Sequence, residues 1–387
     1  MSKQKFYNLS TIYGEKANYT ILVGERANGK SYSVKENALY IAYHKKDPIT
    51  KEPISDYMFA YVRRWDLELK GNAIEGYFSD FIQDADGTRK IYQITNGDYS
   101  TISVYQRKIY FANVDEEGKI VRGPVIGYPF ALTQITHYKS LSYPQIGRMI
   151  FEEFITDQGY LPNNEPKRLM DLVSTIFRRR FGRVFLVGNT INRACPYFNE
   201  WFPDNKVLKM KPGNIRIYNM HTEEVDEDGQ PIVVKIAIER CENSGNNSKM
   251  FFGSSAKMIT RGEWVQEDQP HLPEPEKNYK IIHLMFIEDT GLCYMLQLLQ
   301  DKTGNYLIYV KPHTTEIKDR EKTRIITDQF SLNLFHSHRF LTDLYKYDTI
   351  ILTLLVNDKI VYSDNLTGTE FKRLLKERGY FKNERTG

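Results

Sequence analysis

Apolar positions in this chain fall in short runs, and the spacing inside each run predicts the element it builds. Residues 19–23 read Tyr, Thr, Ile, Leu, Val, which predicts a buried strand running into a Gly-containing turn. Residues 32–43 place Val34, Ala38, Leu39, Ile41 and Ala42 on one helical stripe. A second strand is expected over 57–62, ending in Arg63-Arg64-Trp65, and a helix over 67–82 despite Gly71 and Gly76. Alternating runs between 90 and 129, broken at Asp115-Glu116-Glu117-Gly118, predict inserted antiparallel hairpins. A strand over 146–154, a helix over 166–180 and a strand over 184–187, closed by Gly188-Asn189, complete the first half. Strands alternating with helices over about 200 residues imply an α/β core with a mainly parallel sheet.

Beyond residue 220 the pattern changes. Residues 221–275 are polar and acidic, with a hairpin turn expected at 226–229 and a boundary at Pro270, Pro273 and Pro275. Strands are then expected over 279–287, 292–299 and 306–311, with turns at 288–291 and 301–304. A helix over 332–345, strands over 349–356 and 360–362, and a basic terminal helix follow. Three divisions result: a first domain over 1–220, a linker or hairpin subdomain over 221–275, and a last domain over 276–387. The length, 387 residues, also calls for more than one core.

Composition narrows the class without naming it. Hydrophobic residues at 41% and charged residues at 26% are those of a soluble globular protein. A formal net charge of +4 is too mild to signal nucleic-acid binding, so any such contact must come from local patches. Cys195, Cys241 and Cys293 form no C-x-x-C pair, which argues against a zinc site or a disulfide framework and for a reducing cytoplasm. No apolar run approaches the roughly 18 residues needed to span a bilayer, and the polar start Met1-Ser2-Lys3-Gln4-Lys5 has no signal core. A soluble, intracellular protein is expected.

The turn after the first strand carries the chemistry. Gly24-Glu25-Arg26-Ala27-Asn28-Gly29-Lys30-Ser31 fits G-x-x-x-x-G-K-[ST], placed between a strand and a helix as a phosphate loop must be. In such a loop successive backbone N–H groups and the helix N-terminus cradle phosphates. Gly24 and Gly29 shape the turn, Lys30 neutralises the β/γ oxygens, and the hydroxyl of Ser31 ligates magnesium. Arg26 adds a cation near the phosphates. A nucleoside triphosphate with Mg2+ is therefore the expected ligand.

Hydrolysis needs an acid on the metal and a base for the water. Glu152 and Glu153, following an apolar strand, supply both: Glu152 on the magnesium side, Glu153 as general base. A solvated charged pair at a strand end is the plainer reading of the same residues. Asn189, at a strand end, suits a sensor of the γ-phosphate or water, and equally a turn. Arg178, Arg179, Arg180 and Arg183 crowd one stretch; they read as a helix C-terminus or as a source of an arginine finger, Arg178 and Arg180 included.

Phe6-Tyr7-Asn8, the loop Val23 to Tyr32, Tyr61-Val62-Arg63-Arg64-Trp65, and Ile150-Phe151-Glu152-Glu153-Phe154-Ile155 come in a fixed order. Tyr160-Leu161-Pro162-Asn163-Asn164-Glu165, Phe177-Arg178-Arg179-Arg180, and Asn189 with Pro196-Tyr197-Phe198 continue it. The set resembles the genome-packaging ATPases, or encapsidation proteins, of small terminal-protein-primed podophages of the Picovirinae type, related to terminase large subunits. It covers about the first half of the chain; beyond Tyr218 the likeness is one of architecture. The resemblance implies an ASCE-type P-loop core with a mainly parallel sheet, and a C-terminal RNase H-like domain without nuclease activity. It also implies a homo-oligomeric ring of five at the portal of an empty capsid, pulling double-stranded DNA inward by ATP hydrolysis. Gly24, Gly29, Lys30 and Ser31 would bind ATP, Glu152 and Glu153 handle magnesium and water, and an arginine of 178–180 act in trans. Members usually carry Asp where this chain has Glu152. The implied location is the host cytoplasm and, transiently, the procapsid portal vertex; a packaging RNA is left open as a further partner.

A two-metal nuclease needs converging carboxylates. Here Glu288 and Asp289 fall in an expected turn, and Asp301, Asp343, Asp348 and Asp364 are scattered, so no nuclease activity is expected. Residues 371–385 carry Lys372, Arg373, Lys376, Arg378, Lys382 and Arg385, a basic helix or a solvated tail. Competing readings are a P-loop helicase or other nucleic-acid remodelling ATPase, a non-hydrolysing nucleotide-dependent scaffold, and a terminase with a working nuclease.

Overall fold

The computed structural model describes residues 7–83, 87–155, 164–178, 180–190, 195–202, 206–225, 229–242, 268–272, 278–289, 292–313, 315, 317–327, 331–337 and 346–377. The chain divides into two compact units: Met1–Asn192 with Lys209–Glu263, and Arg193–Leu208 with Trp264–Gly387.

The first unit runs α1 (Ser10–Tyr13), β1 (Tyr19–Gly24), α2 (Lys30–His44), β2 (Met58–Arg63), α3 (Gly71–Tyr77), α4 (Ser79–Ile82) and α5 (Lys90–Ile94). It continues with β3 (Thr101–Tyr105), β4 (Lys108–Val114), β5 (Ile120–Ala131), β6 (Ile146–Glu152), α6 (Glu165–Phe177), β7 (Arg183–Asn189), β8 (Ile215–Val225) and β9 (Pro231–Arg240). Nine strands form one sheet in the order β3-β4-β5-β2-β6-β7-β1-β9-β8. From β5 through β9 the neighbours are parallel, while β3, β4 and β8 attach antiparallel. Every residue of β1 and β6 is buried, which explains why both read as continuous apolar runs: a parallel sheet is covered on both faces. Leu22, Phe59, Ile150 and Phe185 from the strands pack with Val34, Ala38 and Leu39 of α2 and with Ile74, Phe78 and Phe81. Each such side chain contributes about 1.5–3 kcal/mol by leaving water.

Register places the strand ends that matter side by side. Gly24 pairs with Asn189, Glu152 with Val187, and Val62 with Phe151, so β2, β6, β7 and β1 end along one edge of the sheet.

Several expected elements differ. The helix expected over 67–82 is a 3-10 turn, Asp66–Leu69, followed by α3 and α4. The chain there bends to bury Leu69, Ile74, Phe78 and Phe81, which one straight helix would not present together. The boundary expected at 220 falls inside β8. Its partner β9 pairs in parallel with β1, so the hairpin placed in a linker forms part of the core sheet. Only its β1-side half is apolar and buried, around Ile236, Ala237 and Ile238, and the rest carries the polar pattern.

The second unit holds α7 (Pro196–Trp201), β10 (Lys280–Asp289), β11 (Leu292–Gln300), β12 (Tyr306–Pro312), β13 (Arg324–Thr327), β14 (His336–Ser337), α8 (Lys346–Val356), β15 (Ile360–Tyr362) and α9 (Asn365–Glu377). Its six strands run in the order β14-β13-β10-β11-β12-β15. Strands β10, β11 and β12 form an antiparallel meander, while β13, β14 and β15 join in parallel. The strand expected over 349–356 is the helix α8. Its run of Thr, Ile and Leu has strand propensity, yet Asp348, Ile351 and Leu355 are the buried positions, a helical spacing, and this packing overrides propensity. Ile351 and Leu355 share a core with Phe371, Leu374 and Leu375 of α9 and with Leu296, Ile308 and Val310 of the sheet. Residues 332–337, expected to begin a helix, form a turn and β14, and 338–345 lie outside the described residues. Glu288 and Asp289 belong to β10 rather than to a turn.

The acids of this unit have other work. Glu288 is ion-paired with Arg320, and buried Asp348 with Arg324 at 2.8 Å. Asp301 holds a turn and Asp364 caps α9; Asp343 lies outside the described residues. The basic terminal helix ends, as described, at Glu377, with Lys372 3.5 Å from Asp358. No helix among the described residues is long and apolar enough to cross a membrane.

Candidate active site

Gly29, at φ 96°, turns the chain into α2 in the left-handed region that glycine adopts without strain. Gly24 is required for a different reason: a Cβ there would lie 3.2 Å from both Asn28 Nδ2 and Cys241 Cβ. Between them Glu25 and Asn28 are buried while Arg26 is exposed at the crown of the loop. Lys30, only 4% exposed, folds back into the loop. Its ammonium donates to the Glu25 carbonyl at 2.5 Å, to Asn28 Oδ1 at 3.1 Å and to Asn189 Oδ1 at 3.3 Å. Burial pushes its pKa down to about 8, with Cys241, Glu152 and Glu25 acting against that shift. A buried cation held by neutral oxygens is short of negative charge, which is what a phosphate supplies.

Glu152 closes the other side. Its Oε2 accepts from Ser31 Oγ at 3.0 Å and its Oε1 from the Tyr77 hydroxyl at 2.6 Å. Burial raises its pKa above the ordinary carboxylate value, and those two hydrogen bonds and Lys35 oppose the rise. Glu153 faces outward at a positive φ of 56°, a conformation that costs a non-glycine residue about 1–3 kcal/mol. Its carboxylate is 2.7 Å from Arg63 Nη2, and Arg63 is shared with Glu68 at 2.5 Å. Arg64 fixes the backbone beneath, donating to the Glu153 carbonyl and, at 2.6 Å, to the Phe154 carbonyl. The rest of its guanidinium makes a buried two-point contact with Glu165 at 2.8 and 2.9 Å.

Thus Gly24, Gly29, Lys30, Ser31, Glu152, Glu153 and Asn189 gather at one sheet edge. The arginines do not. Arg183 opens β7 and Asn189 closes it, so the basic stretch lies about 20 Å from the loop at the opposite edge. Arg180, expected among the finger candidates, lies in that stretch. Its guanidinium donates to the carbonyls of Tyr143, Pro144, Ile146 and Ile176 at 2.8–3.2 Å and serves as a backbone clamp. Arg178 is exposed and its side chain makes one described bond, 3.1 Å to the Leu141 carbonyl; Arg179 lies outside the described residues.

Residues 1–219, more than half of this chain, match the model of the podovirus DNA encapsidation protein (Gp16) family. The chain belongs to that family. It is 30% identical over 181 residues to the DNA packaging protein of Bacillus phage B103, 46% of each chain. It is 28% identical over 202 residues to that of Bacillus phage phi29, 51% of this chain and 50% of the relative. The chain thus spans about half the length of these curated relatives. Its fold is also that of a chain in the bacteriophage Phi-29 viral genome packaging motor assembly, with a TM-score of 0.52, 19% identity, and 96% and 99% of the two chains covered.

Within this Gp16-family core, three further residues contact the site; Tyr77 and Cys241 belong to no sequence motif, whereas Tyr7 lies in the Phe6-Tyr7-Asn8 segment. Tyr77 reaches Glu152 from 75 residues away. Cys241 N–H donates to the Val23 carbonyl at 2.8 Å, packing the end of β9 against the loop. Tyr7 N–H donates to the Asn28 carbonyl at 2.9 Å and its hydroxyl to Glu239 at 2.7 Å, strapping the N-terminal segment to both.

Proposed function

We propose that this chain is the ATP-hydrolysing motor that moves double-stranded viral DNA into a preformed capsid. One observation carries the reading. In a Gp16-family core, the Lys30 ammonium and the Ser31–Glu152 pair face the same phosphate-shaped turn at the head of α2.

The residues present fit ATP and magnesium. Ser31 hydroxyl and Glu152 carboxylate are hard oxygen donors 3.0 Å apart, the kind magnesium takes. No group of three or more His, Cys, Asp or Glu side chains among the described residues could hold a metal unaided. That agrees with a site in which substrate phosphates and water supply the remaining ligands. When bound, the ion neutralises charge on the β- and γ-phosphate oxygens. Lys30 turns from Glu25 and Asn28 to those same oxygens. Arg26 adds a cation near the phosphates, and Asn189 orients the γ-phosphate or the water. Glu153 accepts the proton of the attacking water, for which its carboxylate must leave Arg63.

Arg178 is the finger in this reading, and acts in trans because it lies at the far edge from its own loop. Subunits form a homo-oligomeric ring of five on the portal, with an RNA scaffold as a possible third component, in the host cytoplasm and then at the procapsid. The C-terminal unit is read as RNase H-like, on its antiparallel meander flanked by parallel strands, and as lacking nuclease function.

Purified protein is expected to hydrolyse ATP only with magnesium, faster with double-stranded DNA. Rings of Arg178→Ala alone or Glu153→Gln alone are inactive, while mixed rings recover turnover by pairing an intact Glu153 with a neighbour's intact Arg178. Turnover in Arg178→Ala rings would remove Arg178 from the mechanism. Strand separation without a capsid would favour a helicase instead.

A further inference from the structure

We propose that Tyr77 is a positioning residue that holds the Glu152 carboxylate in its magnesium-binding orientation. The proposal rests on the reading of Glu152 as the acid on the magnesium side. Glutamate has one more rotatable bond than aspartate, and a carboxylate at the end of that longer arm must be fixed before it can present an oxygen at a set place. Here both oxygens are committed: Oε2 to Ser31 at 3.0 Å and Oε1 to the Tyr77 hydroxyl at 2.6 Å. Oε2 is the oxygen beside Ser31 that would be presented to the ion, and Oε1 is occupied by the Tyr77 hydroxyl.

Tyr77 is itself held on three sides. Its ring stacks on buried Tyr61 of β2, with centroids 4.6 Å apart and planes 29° from parallel. The Lys35 ammonium lies 4.6 Å from its ring centroid and donates to its carbonyl at 2.7 Å. Lys35 also binds both oxygens of Asp80 at 2.7 and 2.8 Å. Since Lys35 stands one turn along α2 from Ser31, the contacts close a loop: Ser31, Glu152, Tyr77, Lys35 and back through the helix. Groups that hydrogen-bond a ligating carboxylate typically change metal affinity about 10–100-fold when removed.

The test is Tyr77→Phe, which keeps the ring stack and deletes one oxygen. Binding of a fluorescent ATP analogue is followed while Mg2+ is titrated, and again in EDTA. The Mg2+ concentration giving half of the metal-dependent gain should rise about tenfold. Affinity in EDTA and the melting temperature should stay at the wild-type values. Asp80→Asn, which loosens the Lys35 hold on the Tyr77 backbone without touching the stack, should shift the same midpoint in the same direction by less. An unchanged Mg2+ midpoint in both variants overturns the proposal. Glu152→Gln separates the two possible failures. If it lowers Mg2+ affinity while Tyr77→Phe does not, only the role of Tyr77 falls; if it has no effect, the magnesium reading of Glu152 falls and takes the proposal with it.

Discussion

Lys30→Ala is expected to lower ATP turnover by about a hundred- to a thousandfold and to leave the protein folded. The loss follows from geometry. The ammonium sits inside the loop, bonded to Glu25, Asn28 and Asn189, whereas Arg26, the nearest cation in sequence, lies on the exposed crown. The fold survives because the charged lysine costs the nucleotide-free protein stability. Its pKa is lowered by burial to about 8, so the unfolded chain binds this proton more tightly than the folded one. The penalty is complete below pH 8 and fades as pH rises from there towards the ordinary lysine value. Near neutral pH, removing the side chain relieves that penalty, and thermal melting without nucleotide should occur no lower than for wild type. A steady-state assay with a melting curve checks both halves. Substantial turnover in the variant contradicts the role of Lys30; a large drop in melting temperature contradicts the electrostatic part.

Arg64→Met is expected to destabilise the first unit by about 3–5 kcal/mol, the usual cost of stranding one member of a buried ion pair. Glu165 is almost completely inaccessible, and two of its contacts are the Arg64 bonds at 2.8 and 2.9 Å. The same guanidinium binds the carbonyls of Glu153 and Phe154, so its loss also frees the strained turn that aims the proposed base. Methionine keeps the aliphatic packing, including contact towards Phe151, over whose ring the guanidinium sits at 5.3 Å. Adding Glu165→Gln removes the stranded charge and should recover part of the stability but not of the turnover, since the turn remains unclamped. Urea unfolding of the single and double variants measures this. A cost below about 1 kcal/mol would mean that water reaches Glu165.

Much of the candidate site's layout is legible in the sequence because its residues sit at strand ends. An unbroken run from Tyr19 to Val23 before the loop, and another ending at Glu152, leave little freedom in where Lys30 and the acid pair emerge. What escaped has physical causes. Tyr77, and the partners of Arg64 though not Arg64 itself, lie across long sequence separations and are fixed only by packing. The pairing of β9 with β1 was hidden because its outer half is polar and its neighbour β8 is an edge strand. Residues 349–356 carry strand-forming side chains, yet Asp348, Ile351 and Leu355 face the core at helical spacing. Arg180 shared its motif with Arg178, and only the carbonyls gathered around it distinguish a clamp from an exposed arginine.

The measurement closest to the central claim is protection of DNA from nuclease inside capsids. Portal-bearing empty capsids of the source phage are mixed with its DNA, ATP and magnesium, and with either wild-type protein or Lys30→Ala. Wild-type protein should render genome-length DNA resistant to added DNase, and Lys30→Ala should protect none. Equal protection by the two proteins, or hydrolysis by wild-type protein with no protection under any portal condition, would contradict a motor driven from this loop.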